Sequence, residues 1–139
     1  MKVFVYGYRK EEAAYFSACA KAMQLEIDTC AQRPTLENAQ LCQSYECISV
    51  LSTPIDAALL QKLQEVGVRF LSTRTVGYDH IDLAYARKIG IHIGNAPMRV
   101  RVWRTIDYAD SDGAAQNEAD FAELRSVRII PLMRYWAAI

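Results

Sequence analysis

"LSTRTVGYDHIDLAYARKIGIHIGNAP", residues 71–97, spells a strand end, a polar turn, a helix and a second strand in one run. VRFLST, residues 68–73, combines β-branched and aromatic side chains and reads as strand. HIDLAYARKI, residues 80–89, reads as a helix, with Asp79 placed to cap its start and Gly90 to stop it. IHIGNA, residues 91–96, reads as strand again. Strand, short covering helix and strand form the βαβ unit of a parallel sheet.

The same alternation extends back to the start of the chain. STPIDAALLQKLQEVG, residues 52–67, predicts a helix: Thr53 is placed to cap it, Pro54 suits its first position, Asp56 stands where a capping box takes an acid, and Gly67 closes it. Its inward face is Ile55, Leu59, Leu63 and Val66. KVFVYG (2–7), LEIDTC (25–30) and CISVLS (47–52) read as strands. Residues 9–23 carry Phe16, Cys19, Ala20 and Met23 on one helical stripe, and PTLENAQLCQ (34–43) reads as a short helix capped by Thr35. The expected class is therefore α/β, a flavodoxin-like open parallel sheet of about five strands with helices on both faces.

Beyond Pro97 the pattern stops. MRVRVWR alternates apolar and basic residues, an acidic small-residue stretch follows with a weakly helical section over 114–124, and RIIPLMRYWAAI ends the chain with large apolar groups that have no partner element. Local and global signals disagree here, which predicts an irregular segment over 98–139.

Sixteen basic and sixteen acidic residues cancel, so no global field draws the chain to nucleic acid or to an anionic membrane. The opening MKVFVYGYRKEE is too short and too polar for a secretory or spanning segment, since a bilayer needs roughly 20 apolar residues; a cytoplasmic protein is expected. Cys19, Cys30, Cys42 and Cys47 form no Cys-x-x-Cys pair, and His80 and His92 are not spaced with them as ligands. Reduced thiols and no metal site are the reading. Arg99, Arg101 and Arg104 around Trp103 make a basic stripe too weak to predict a nucleic-acid groove.

The turn TRTVGYDHID is the candidate for chemistry. In open α/β sheets the carboxyl ends of the strands face the ligand crevice, and amides at a helix start favour an anion. Gly77 would let the backbone approach a small carboxylate where a β-carbon would intrude. The plainer reading is a structural turn in which Gly77 supplies a positive φ and Asp79 only caps.

The run from Ser72 to Pro97, with "STRTVGYDHIDL" followed by "A-x-x-x-GI-x-I-x-NAP", resembles the N-terminal substrate domain of the D-isomer-specific 2-hydroxyacid dehydrogenases, especially the D-lactate dehydrogenase branch with the vancomycin-resistance enzyme. The opening MKVFVYGYRKEE is similar too. The resemblance covers about the first 97 residues, which become the expected flavodoxin-like substrate domain, with 98–139 an aberrant segment. It implies that the backbone amides of Val76 and Gly77 hold the carboxylate of a 2-oxo acid, and that Tyr8 and Ser52 lie where pocket walls are found. It assigns no catalytic residue here: Arg74 is read as structural, held in an ion pair, and His80 and His92 as ordinary turn and strand residues.

The family transfers hydride with NAD, whose usual cradle is Gly-x-Gly-x-x-Gly between a strand and a helix. That triplet is absent from these 139 residues, and no histidine follows Pro97 to act as acid and base. No cofactor is expected to bind this chain, which is predicted inactive by itself: a truncated relative, interrupted by a frameshift. With suitable codons the neighbouring frame of Met98–Ile106 reads Tyr-Ala-Cys-Pro-Ser-Val-Ala-Asp-Tyr, which resembles the family's next motif, and a further shift turns 108–123 into an apolar and basic helix. The alternative is a non-enzymatic binding module with residual affinity for a 2-oxo or 2-hydroxy acid. A response-regulator-like receiver is disfavoured because strand three ends in Leu51-Ser52 rather than an aspartate.

Overall fold

Five short runs rich in β-branched, aromatic and aliphatic residues pair side by side: β1 (Lys2–Tyr6), β2 (Glu26–Cys30), β3 (Cys47–Val50), β4 (Phe70–Thr73) and β5 (His92–Gly94). They form one parallel sheet in the order β2-β1-β3-β4-β5, with Val5 beside Ser49 and Ser49 beside Ser72 in register. That order is the flavodoxin-like one, and the computed structural model describes residues 1–75 and 77–95 of it. The expectations for residues 98–139 lie outside the described residues.

Strand alternation sends successive side chains to opposite faces, and both faces are covered. Val3, Val5 and Cys47 pack under Phe16 and Cys19 of α1 (Ala13–Met23). Phe4, Tyr6, Ile48, Val50 and Leu71 pack on the other face against Leu59, Leu60 and Leu63 of α2 (Ala57–Glu65) and Ala86 of α3 (Leu83–Ile89). Of the expected inward face of α2, Ile55, Leu59 and Leu63 are buried and Val66 half-buried, while Leu60 joins them. No described helix is long and apolar enough to cross a membrane.

Both helix starts differ from the expected ones, and one contact explains both. Ile55 and Ile81 form an isolated parallel bridge, in which Ile55 N–H donates to the His80 carbonyl at 2.8 Å and Asp82 N–H donates to the Ile55 carbonyl at 3.1 Å. Residues so engaged are extended and cannot begin a helix. The caps therefore move inward: Asp56, not Thr53, accepts from Leu59 N–H at 2.9 Å, and Asp82, not Asp79, accepts from Tyr85 N–H at 2.9 Å. Pro54 precedes α2 instead of opening it. Gly90 does end α3, with φ +80°.

The short helix expected over 34–43 is also reduced. Thr35 and Asn38 exchange hydrogen bonds in capping-box fashion, Thr35 N–H to Asn38 Oδ1 at 2.8 Å and Asn38 N–H to Thr35 Oγ1 at 3.3 Å. Only a 3-10 turn, Ala39–Cys42, follows, before Ser44 at φ +74° reverses the chain. Residues 9–23 likewise open with a 3-10 turn, Lys10–Glu12, ahead of α1.

Candidate carboxylate site at the carboxyl edge of the sheet

Parallel strands put all their carboxyl ends along one edge. The chain leaves β1 toward β2 on one side and later returns to β3 on the other, so the switch in direction falls between β1 and β3. Loops that diverge there leave a crevice of about 330 Å³, whose lining includes Tyr6, Gly7, Arg9, Arg33, Leu51 and Thr53. Gly7 adopts φ +64°, and a β-carbon on it would come within 3.4 Å of Leu51 Cδ1. The tight turn at the foot of the crevice thus favours glycine through its positive φ.

Of the expected site residues, Tyr8, Ser52 and Gly77 follow strands on this edge. Tyr8 follows β1, its N–H donating to the Cys30 carbonyl at 2.9 Å and its ring packed on Phe16 with centroids 5.8 Å apart. Ser52 lies beyond the end of β3 and is exposed. Neither Tyr8 nor Ser52 is among the described residues that line the crevice, where their neighbours Gly7, Leu51 and Thr53 stand instead. Gly77 is exposed in the loop that joins β4 to α3, and Val76 lies outside the described residues. Tyr78 of that loop contributes to a second concavity of about 380 Å³ beside Leu83, Arg87 and Ile93.

Buried polar side chains gather at this edge: Arg74, which the sequence reading took as structural, and Glu12 and Tyr6, which it did not single out. Arg74, next after β4, is 1 % exposed. Its Nη2 donates to the carbonyls of Tyr6 at 2.9 Å and Gly7 at 3.2 Å, its Nη1 lies 3.5 Å from Ser49 Oγ, and its guanidinium stacks over the Phe16 ring at 5.6 Å. These described bonds fix the ends of β1 and β4 together, a structural role, with carbonyls and a hydroxyl as the acceptors. Glu12 is fully buried beside the β1–α1 turn, where its Oε2 accepts the Arg9 N–H at 3.0 Å. Tyr6 is not an acid-base candidate: burial, reinforced by Cys42, holds its phenol far above the ordinary range, and its hydroxyl donates to the Asn38 carbonyl at 2.9 Å.

In the loop after β4, three side chains connect to Gly77. Thr75 Oγ1 donates to the Gly77 carbonyl at 2.6 Å, Thr73 Oγ1 lies 2.5 Å from Thr75 Oγ1, and His80 Nε2 lies 3.4 Å from Thr73 Oγ1. His92, by contrast, is exposed on β5 and stacks on Phe70 with centroids 5.4 Å apart.

A five-stranded parallel sheet in this order, covered by helices on both faces, defines an α/β domain of the doubly wound class. The chain belongs to the D-isomer specific 2-hydroxyacid dehydrogenase family: residues 3–101 match the profile of that family's catalytic domain. It is 30% identical over 95 residues to the D-specific alpha-keto acid dehydrogenase of Enterococcus faecalis, covering 68% of this chain and 29% of that protein. It is also 30% identical over 98 residues to a D-2-hydroxyacid dehydrogenase (NAD+) of Lacticaseibacillus paracasei, covering 70% of this chain and 29% of the relative. A D-isomer specific 2-hydroxyacid dehydrogenase from Lactobacillus delbrueckii ssp. bulgaricus, solved in its NAD complexed form, superposes with TM-score 0.65 at 26% identity over 79% of this chain and 35% of that one. The chain thus spans under a third of the length of these two curated relatives.

Proposed function

We propose that residues 1–97 are a substrate-side domain that holds the carboxylate of a 2-oxo or 2-hydroxy acid at the loop after β4, through the backbone amides of Val76 and Gly77 with Tyr8 and Ser52 as flanking walls. One observation carries the reading: Gly77 is exposed and opens onto free space on the side where a side chain would stand. A β-carbon on it would meet nothing within 4 Å among the described residues. Asp79 does not cap α3, since Asp82 does. The plain-turn explanation thus loses its cap, and the open side of Gly77 supports close approach by a ligand from outside.

The same domain does not suit NAD. A pyrophosphate bound at the β1–α1 turn would seek the free amides there, yet Glu12 already accepts the Arg9 amide and Glu11 stands beside it. No hydride step is assigned to these residues, and the 139-residue chain by itself is proposed to be inactive. Purified chain mixed with NADH and pyruvate is expected to oxidise no NADH; sustained turnover would refute this. Residues 98–139 are proposed to be translated out of frame, in keeping with a family match that stops at residue 101. The DNA of the locus tests that point, because an alternative frame without the family's next motif contradicts it. A binding module with residual carboxylate affinity is the second reading; the exposure of Gly77 favours it over a chain that binds nothing.

A further inference from the structure

The loop after β4 is fixed at both ends by main-chain bonds. Arg74 N–H donates to the Val50 carbonyl at 2.8 Å, and the Ile55 bridge grips His80 and Asp82. Between these anchors Gly77, lacking a β-carbon, has little conformational preference of its own. What restrains it is the series Gly77 O, Thr75 Oγ1, Thr73 Oγ1, His80 Nε2, with separations of 2.6, 2.5 and 3.4 Å. Thr73 is buried, so this series runs from an exposed loop into the interior and out again to a half-buried imidazole.

Counting protons gives the series a single direction. The Gly77 carbonyl has no proton, so the Thr75 hydroxyl donates to it. That uses the one proton Thr75 has, so the short contact to Thr73 must be filled by the Thr73 proton. Thr73 then has none left for the imidazole, and the bond between them requires a proton on His80 Nε2.

We propose that Thr73, Thr75 and His80 are positioning residues for the carboxylate-holding loop: the Nε2–H of His80 heads a one-way hydrogen-bond chain that pins the Gly77 carbonyl. This rests on the functional reading above and deepens it. A carbonyl oxygen free to swing toward an incoming carboxylate would repel it; held on the Thr75 hydroxyl, that oxygen is kept engaged while the amide side of the loop receives the anion.

The test uses the full chain labelled with nitrogen-15. Imidazole nitrogen spectra are expected to show a proton on His80 Nε2; a proton on Nδ1 alone overturns the proposal. Thr75→Val keeps the shape but removes the donor, and is expected to speed exchange of the Gly77 amide and to weaken oxamate binding about tenfold, the scale of one lost hydrogen bond. Thr75→Ser, which retains the hydroxyl, is expected to restore binding to within about twofold. Equal effects of valine and serine would mean that the threonine acts by packing, which also overturns it. If the wild-type chain binds no oxamate, the carboxylate reading fails, while the His80 tautomer and the Gly77 exchange rate still decide whether the chain of hydrogen bonds exists.

Discussion

Arg74 Nη2 lies 2.9 Å from the carbonyl oxygen of Tyr6, so the residue that follows β4 holds down the end of β1 across the intervening β3. A guanidinium suits this position because its planar fork serves two carbonyls at once, Tyr6 and Gly7, while its face rests on Phe16. The arginine in the middle of the candidate motif is thus a tie beneath the site, and its charge is engaged by the turn that shapes the crevice.

Removing that tie is expected to cost stability. Arg74→Met leaves the two carbonyls without this donor and should lower the unfolding free energy by about 2–4 kcal/mol in urea denaturation. Arg74→Lys should recover only part, since a point-like ammonium cannot reproduce the fork. A methionine variant as stable as the wild type would contradict this role.

The relocated cap of α2 gives a paired prediction. Asp56→Ala should destabilise the chain by about 1 kcal/mol, while Thr53→Ala should change it by less than about half that. Thermal melts of both variants decide between the two caps; a larger loss at Thr53 would mean the helix starts earlier than described.

The helix starts also mark where sequence reading succeeds and fails. Short apolar, β-branched runs such as KVFVY and CISV announce buried strands directly, and the parallel sheet followed from the βα alternation. Thr53 and Asp56, like Asp79 and Asp82, offer two acceptable caps three residues apart, and local propensity does not rank them. The Ile55–Ile81 bridge does, and it is a contact between distant loops that no local window contains. The site was legible only in part for the same reason. Gly77 stands out in its motif, but the reach of Arg74 to Tyr6 and the link from His80 through Thr73 to Thr75 depend on chain reversals that a linear pattern does not encode.

Alkaline conditions should unfold the chain progressively. Burial pushes the Cys47 thiol from 9.0 up to about 12, and raises Cys19 and Cys42 in the same direction. Between those two values the unfolded chain has lost the Cys47 proton and the folded chain has kept it. The contribution is therefore complete below the unfolded value and is lost as pH rises toward 12, at up to about 1.4 kcal/mol per pH unit. Denaturation curves across this range should show Cys47→Ala with a shallower decline than the wild type; identical slopes would refute the assignment.

Gly77→Ala separates fold from function. Its β-carbon enters open space, so stability should stay within about 0.5 kcal/mol of wild type. Binding of a small carboxylate should nonetheless weaken, because the methyl group stands where the ligand approaches. A large loss of stability would return Gly77 to a purely structural role.

The most direct measurement is a titration of the nitrogen-15-labelled chain with oxamate, following the amide signals of Val76 and Gly77. A backbone grip on the carboxyl group predicts saturable shifts concentrated at these two amides. Shifts that never saturate, or that are spread evenly over the chain while these two stay still, would contradict it.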